Sequence, residues 1–207
     1  MANVIFDFDG TLADTLPLVL EMFYRWTGKT PYTSPEIERF KNMTLREVMV
    51  ETGIPAWKLP ALIVKGRTEL SKGMPKAVLF SGIEKVLPEL KHNGHSLYLA
   101  SSNSTGNVNE FLDKNNLAQY FNGIYGNIGI FGKYKVIRSI IKQQKLSADE
   151  TYYVGDETRD IEAAKKSKVK SISVTWGYNG KLILKAHNPD FIVNTPLDLL
   201  PIFSTAV

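Results

Sequence analysis

Val4-Ile5-Phe6-Asp7-Phe8-Asp9-Gly10-Thr11 is the stretch on which the reading of the fold turns. Asn3 to Phe8 is a β-branched and aromatic run broken only by Asp7, and Asp9-Gly10-Thr11 closes it. A short apolar run bounded by a turn signal predicts a strand buried on both faces and followed by a tight loop. Asp7 and Asp9 stand at alternate positions and so share a face. Two carboxylates side by side at the end of an apolar strand repel each other, and that arrangement needs a positive partner.

Downstream of the loop the texture changes. Leu16, Leu18, Val19, Leu20, Met22, Phe23 and Trp26 recur at helical spacing. Further helical stretches are expected over 34–40, 45–52 and 56–70, punctuated by Pro31, Pro35, Gly53, Pro55 and Pro60, with no strand among them. Residues 14–78 are therefore expected to form a small all-helical domain inserted after the first strand. The core is expected to comprise residues 1–13 and 79–207.

From Ser81 onward helices and strands alternate. Helices are predicted over 81–90, 107–115, 133–144 and 160–166, and strands over 97–100, 124–125, 151–154, 171–174 and 191–193. Repeated strand–helix units predict an α/β fold, a Rossmann-like parallel sheet with helices on both faces. In such sheets ligands bind beyond the carboxyl ends of the strands. Polar residues gather at those ends: Asp7 and Asp9, then Ser101-Ser102-Asn103, then Gly155-Asp156, while Lys133 begins a helix after the third strand.

Composition narrows the chemistry. The 207 residues carry Lys+Arg 25 against Asp+Glu 21, a formal charge of +4, and no cysteine. Disulfides, thiolate metal sites and thiol nucleophiles are excluded. No apolar stretch approaches the ~18 residues of a membrane span. The first residues lack a secretory signal's basic start and apolar segment, so a cytoplasmic protein is expected. The densest basic run, Lys165 to Lys170, reads as a solvated helix end. No basic face with stacking aromatics points to nucleic acid.

An all-oxygen cluster of carboxylates without cysteine favours a hard cation, Mg²⁺. Beside a lysine, a serine hydroxyl and helix N-termini, such a cation suits a phosphoryl group. Asp7 can then act as a nucleophile. Asp9 can protonate the leaving oxygen and later deprotonate an attacking water.

The motif Asp7-Phe8-Asp9-Gly10-Thr11-Leu12-Ala13-Asp14-Thr15 resembles the first motif of the haloacid dehalogenase superfamily. A strand ending in Ser101-Ser102-Asn103, a lysine at Gly132-Lys133 and the GDxxxD pattern of Gly155 to Asp160 follow in that family's order. Val174-Thr175-Trp176-Gly177-Tyr178 resembles the phosphoglycolate phosphatase branch, whose helical cap lies where residues 14–78 stand. The resemblance implies a Mg²⁺-dependent phosphatase of a small phosphorylated metabolite, working through an aspartyl-phosphate. Asp7 would be nucleophile and metal ligand. Asp9 would be the general acid/base and would lend its backbone carbonyl to the metal. Ser101, Ser102 and Asn103 would hold the phosphoryl group, and Lys133 would neutralise it. Asp156 would be a direct metal ligand and Asp160 a support, on the same helical face at i+4. Arg46 or Lys41 in the cap would meet a distal anionic group. Asn42 stands where relatives often carry glycine, which bears on the shape of that loop.

Other readings stand beside these. Ser101 could be a helix N-cap, and Lys135 rivals Lys133. Glu157 reads as solvated, Trp176-Gly177-Tyr178 as a packed loop near the rim, and His92, His95 and His187 as surface or structural. A phosphosugar mutase and a catalytically silent phosphate-binding module remain alternatives to the phosphatase. The expected assembly is a monomer or homodimer, without a membrane partner.

Overall fold

The computed structural model describes residues 1–129 and 132–204. In chain order the elements are β1 (Asn3–Phe6), β2 (Ala13–Asp14), α1 (Leu16–Thr27), α2 (Ser34–Lys41), α3 (Leu45–Glu51), α4 (Leu59–Gly73), β3 (Val78–Leu79), α5 (Ile83–His92) and β4 (Ser96–Ala100). They continue with α6 (Thr105–Lys114), β5 (Gly123–Tyr125), α7 (Lys133–Gln143), β6 (Thr151–Gly155), α8 (Thr158–Ser167), β7 (Lys170–Val174), α9 (Lys181–Ala186), β8 (Phe191–Val193) and α10 (Leu199–Ser204).

Six strands form one parallel sheet in the order β5-β4-β1-β6-β7-β8. The chain runs outward from β1 through β4 and β5, then returns to the other side of β1 to lay down β6, β7 and β8. The strand order reverses at β1, which places a crevice beyond its carboxyl end. Val4, Ile5 and Phe6 are fully buried. Val4 and Phe6 pack with Leu87, Leu90 and Phe111 on one face, while Ile5 packs with Tyr98, Tyr153, Ile137 and Ile140 on the other. Each such side chain contributes roughly 1.5–3 kcal/mol by leaving water. The continuous apolar run of β1 is thus the sequence of a strand covered by helices on both faces.

The helical insertion leaves and rejoins the core at one point. β2 and β3 pair antiparallel, Ala13 with Leu79 and Asp14 with Val78. The sequence reading placed no strand there, because two-residue strands are too short to show a period of two. Within the insertion, Thr33 with Glu36 and Thr44 with Glu47 form capping boxes that start α2 and α3. Its aromatic side chains make a small cluster, with Tyr32 4.7 Å from Phe40 and 5.7 Å from Phe23 between ring centres. Helices α9 and α10 escape the periodicity reading because six residues span fewer than two turns.

Candidate active site

The site grows from the end of β1. The Asp7 backbone N–H donates to the Val154 carbonyl at 2.8 Å, so the ladder with β6 runs one residue past the strand and seats Asp7 in the crevice. The Phe8 carbonyl then accepts from Thr11, Leu12 and Ala13, and Gly10 N–H donates to the Ala13 carbonyl at 2.9 Å. This knot of bonds is the tight loop that Gly10-Thr11 predicted. Gly10 has φ +76°, and a Cβ there would stand 2.1 Å from Asp156 Oδ2. Both the left-handed backbone and the close approach require glycine.

Lys133, the first residue of α7, is buried and ion-pairs with both Asp7 and Asp160. Its rival Lys135 is exposed. Asp156 follows β6 and is fully buried. Its Oδ1 accepts from the Thr11 hydroxyl at 2.9 Å and its Oδ2 from the Tyr178 backbone at 2.7 Å. Asp160 caps α8 by accepting from Glu157 N–H at 3.0 Å. The expectation that Asp156 and Asp160 share a helical face needs correcting: α8 begins at Thr158, so Asp156 lies on the strand-end loop. They converge nonetheless, since carboxylate oxygens of Asp7, Asp156 and Asp160 all lie within 4.8 Å of one another.

Three carboxylates are buried together, and the one ammonium among them pairs with only two, Asp7 and Asp160. Burial pushes Asp7 up to about 7 against the lowering pull of Lys133, with Asp160 adding to the rise. Asp156 is pushed well up by burial and then by the charges of Glu157, Asp160 and Asp7. Burial works against a charged Lys133, yet Asp160 and Asp7 outweigh it and hold the ammonium protonated. The donor set is all oxygen, buried and short of positive charge, which fits a hard divalent cation.

Asp9 faces other partners. Its Oδ1 accepts from the Thr15 hydroxyl at 3.0 Å, and Asn103 Nδ2 reaches Oδ1 at 3.1 Å and Oδ2 at 3.2 Å. Burial raises its pKa to about 6, moderated by the bonds from Thr15 and Asn103. Ser101 is fully buried at the end of β4, and its hydroxyl accepts from Asn103 N–H at 2.9 Å. It is not an N-cap: Ser104 caps α6 instead, accepting from Asn107 N–H at 3.1 Å. The Ser102 carbonyl accepts from Arg67 Nε at 2.6 Å.

A cleft of about 600 Å³ opens between α3 and the helices α7 and α8. Lys133, Arg46, Arg159 and Lys166 line it with Tyr134 and Thr158, beside an apolar wall from α3. Arg46 is thus brought to the same cavity as Lys133, whereas Lys41 instead ion-pairs with Glu38 at 3.9 Å. One reading changes: Glu157 is not solvated, for it pairs with Arg159 with only 15% of its side chain exposed. Lys166 is an exposed cation in the last turn of α8, as expected, and also borders the cleft. His95 is structural as expected, accepting from Ala2 N–H at 3.1 Å.

Several residues of the site went unassigned in the sequence. Thr11, Thr15, Tyr178, Asn179 and Arg67 each bond a group of the rim or its loops. For Tyr178 and Asn179 a signal existed: they follow β7 at its carboxyl end, where the rule that located Asp7 also applies. Arg67 offered none, because it reaches the Ser102 and Ile128 carbonyls from the middle of a helix.

The chain matches the family model for haloacid dehalogenase-like hydrolases over residues 4–174. It is 31% identical to a phosphoglycolate phosphatase of Synechococcus elongatus, over 97% of this chain and 96% of that protein. It is 24% identical to the pyrophosphatase PpaX of Bacillus mycoides, over 98% and 96% of the two chains. The crystal structure of a predicted phosphatase from Clostridium acetobutylicum superposes with a TM-score of 0.80 at 26% identity, covering 98% of this chain and 97% of that one. The chain therefore belongs to the haloacid dehalogenase-like hydrolases, in the branch that resembles phosphoglycolate phosphatases. It is an enzyme of the phosphoric monoester hydrolase class. No described helix is long and apolar enough to cross a membrane.

Proposed function

We propose that this enzyme is a Mg²⁺-dependent phosphatase of a small phosphorylated metabolite, with phosphoglycolate the first candidate, and that turnover passes through a phosphorylated Asp7. The observation that carries the reading is the buried Lys133 ammonium set between Asp7 and Asp160 at the reversal point of the sheet. Lys133 pulls Asp7 toward its ionised form against burial and orients it, and its charge offsets that of an incoming phosphoryl group. Ser101 already accepts from Asn103 N–H, which leaves its own proton to donate to a phosphoryl oxygen. Ser102 and Asn103 shape the same loop.

Asp9 gives its proton to the leaving oxygen as Asp7 attacks phosphorus, and then takes one from the water that hydrolyses the acyl phosphate. Its position near neutrality suits both tasks. Asp7 and Asp156 would hold the magnesium ion with the Asp9 backbone carbonyl, and Asp160 would support them. When bound, the ion supplies charge neutralisation and orientation of the phosphoryl oxygens. Residues 14–78 form the cap over a core of 1–13 and 79–207, and Arg46 meets an anionic group distal to the phosphate. The 31% identity to a phosphoglycolate phosphatase over nearly the full chain supports phosphoglycolate as the first substrate to try.

The test is phosphate release from a panel of small phosphomonoesters, with and without Mg²⁺, by the wild type and by Asp7→Asn. Metal-dependent release that Asp7→Asn abolishes is expected, with the ranking of esters naming the substrate. Release that persists in folded Asp7→Asn would remove Asp7 as the nucleophile.

A further inference from the structure

We infer that Tyr178 is a positioning residue for the acid/base carboxylate, acting through a hydroxyl chain from Tyr178 to Thr15 to Asp9. The inference rests on the reading of Asp9 as general acid. Thr15 lies at the N-cap position of α1, where a threonine hydroxyl ordinarily accepts from a helix N–H, yet it makes no such bond. It turns instead to Asp9 Oδ1 at 3.0 Å and stands 2.7 Å from the Tyr178 hydroxyl. A threonine hydroxyl has one proton. Since that proton goes to Asp9, the Tyr178 hydroxyl must donate to Thr15, and the direction of the chain is set. Hydrogen bonds in series polarise one another, so the tyrosine strengthens the contact it does not itself make.

The chain also selects one oxygen of Asp9. Oδ1 accepts from both Thr15 and Asn103, whereas Oδ2 accepts only the 3.2 Å bond from Asn103. Oδ2 is therefore the oxygen left to carry the transferable proton. In the step, a bond forms from an Asp7 oxygen to phosphorus while the ester P–O bond breaks. The leaving oxygen keeps the bonding pair and takes the Oδ2 proton, and Asp9 becomes a carboxylate held by Thr15 and Asn103.

The tyrosine is itself fixed on both sides. Its backbone N–H donates to Asp156 Oδ2 at 2.7 Å, and Trp176 Nε1 donates to the Thr11 carbonyl at 3.1 Å. Between them a Cβ at Gly177 would stand 2.3 Å from the Gly10 carbonyl oxygen, so the loop after β7 lies directly on the loop after β1. One residue thus bonds Asp156 through its backbone and addresses Asp9 through its hydroxyl.

The experiment compares kcat/KM for the best alkyl phosphate of the panel with that for p-nitrophenyl phosphate, whose leaving group needs little protonation. This ratio reports the steps up to transfer onto Asp7. Tyr178→Phe is expected to lose about tenfold on the alkyl ester, a fraction of a general acid's full contribution, and little on the aryl one. Thr15→Val should show the same selectivity and Thr15→Ser should keep the parent's ratio. The Thr15→Val/Tyr178→Phe double variant should be no worse than Thr15→Val alone, because the tyrosine acts only through Thr15. Equal losses on both esters, no loss on either, or additive losses in the double variant overturn the chain. Asp9→Asn separates the two levels of the argument. If it discriminates between the esters and Tyr178→Phe does not, the chain alone falls; if Asp9→Asn lowers both equally, the acid assignment falls and takes the chain with it.

Discussion

The sheet core and the helices of 16–76 are built on different physics. Residues 4–6, 97 and 99 of the core have no exposed surface, and two separate apolar clusters cover the faces of the sheet. Among the described side chains of 16–76, only Met22, Met49, Thr52 and Met74 are buried. The insertion is held down largely by polar ties. Arg67 reaches the Ser102 and Ile128 carbonyls, Asn179 Nδ2 reaches the Met43 carbonyl at 3.1 Å, and Gly180 N–H reaches the Lys41 carbonyl at 2.7 Å. Apolar packing resists local opening more strongly than isolated polar ties do. The core therefore fixes the reaction centre, while the helices of 16–76 depend more on a few hydrogen bonds for their seat on it.

The largest effect that can break this contrast lies inside the core. Lys133→Met strands Asp7 and Asp160 without their counter-charge, and a loss of about 3–5 kcal/mol is expected in urea unfolding, together with loss of turnover. A variant as stable as its parent would mean that Lys133 is not what holds the carboxylates together. Next, paired truncations compare the two regions directly. Leu99→Ala should cost about 2–5 kcal/mol, and Met22→Ala in the insertion about 1 kcal/mol. Similar costs for the two would erase the distinction.

Smaller still is Arg67→Met. It should speed proteolytic cleavage within residues 16–76 and raise KM, while the main melting transition moves by no more than about 4 °C. Unchanged cleavage would show that the apolar contacts of the insertion suffice. The smallest expected effect is electrostatic. Burial raises the Asp190 carboxyl, but hydrogen bonds from the Ser171 backbone and hydroxyl outweigh it and hold it below its ordinary value. A carboxylate with a depressed folded pKa contributes stability that is full above its unfolded value, near about 4, and is lost as pH falls through the folded one. The stability gap between the parent and Asp190→Asn should therefore be full at pH 7 and close at low pH. A gap that widened on acidification would contradict the assignment.

The elements legible in the sequence were those whose information is local. β1 announces itself by an apolar run and a glycine turn, and β8 falls at 191–193 as expected. Asp7, Asp9, Ser101, Asn103, Lys133, Asp156 and Asp160 could be placed at one rim because each lies just past a strand or in the first turn of a helix. What stayed hidden depends on where distant segments meet. Nothing near Thr15 foretells that its hydroxyl will abandon the helix for Asp9, and nothing near Arg67 foretells the two carbonyls it will meet. Asp156 lies at the strand end where it was expected, but its helical placement was misjudged because the spacing of four was read without the cap that begins α8 at Thr158.

The central place of β1 has a consequence for synthesis. β1, which leads into Asp7, is made before either of its neighbours, since Asn3 pairs with Ser96 on one side and Thr151 on the other. Until both partners have emerged, Val4 to Phe8 is an unpaired apolar segment of a nascent chain, the kind of exposure that invites aggregation or chaperone capture. The insertion delays this pairing further, since its residues must be made before β4 can begin. Asp7 thus precedes in the chain both strands that flank β1, and it is seated only when they have joined it.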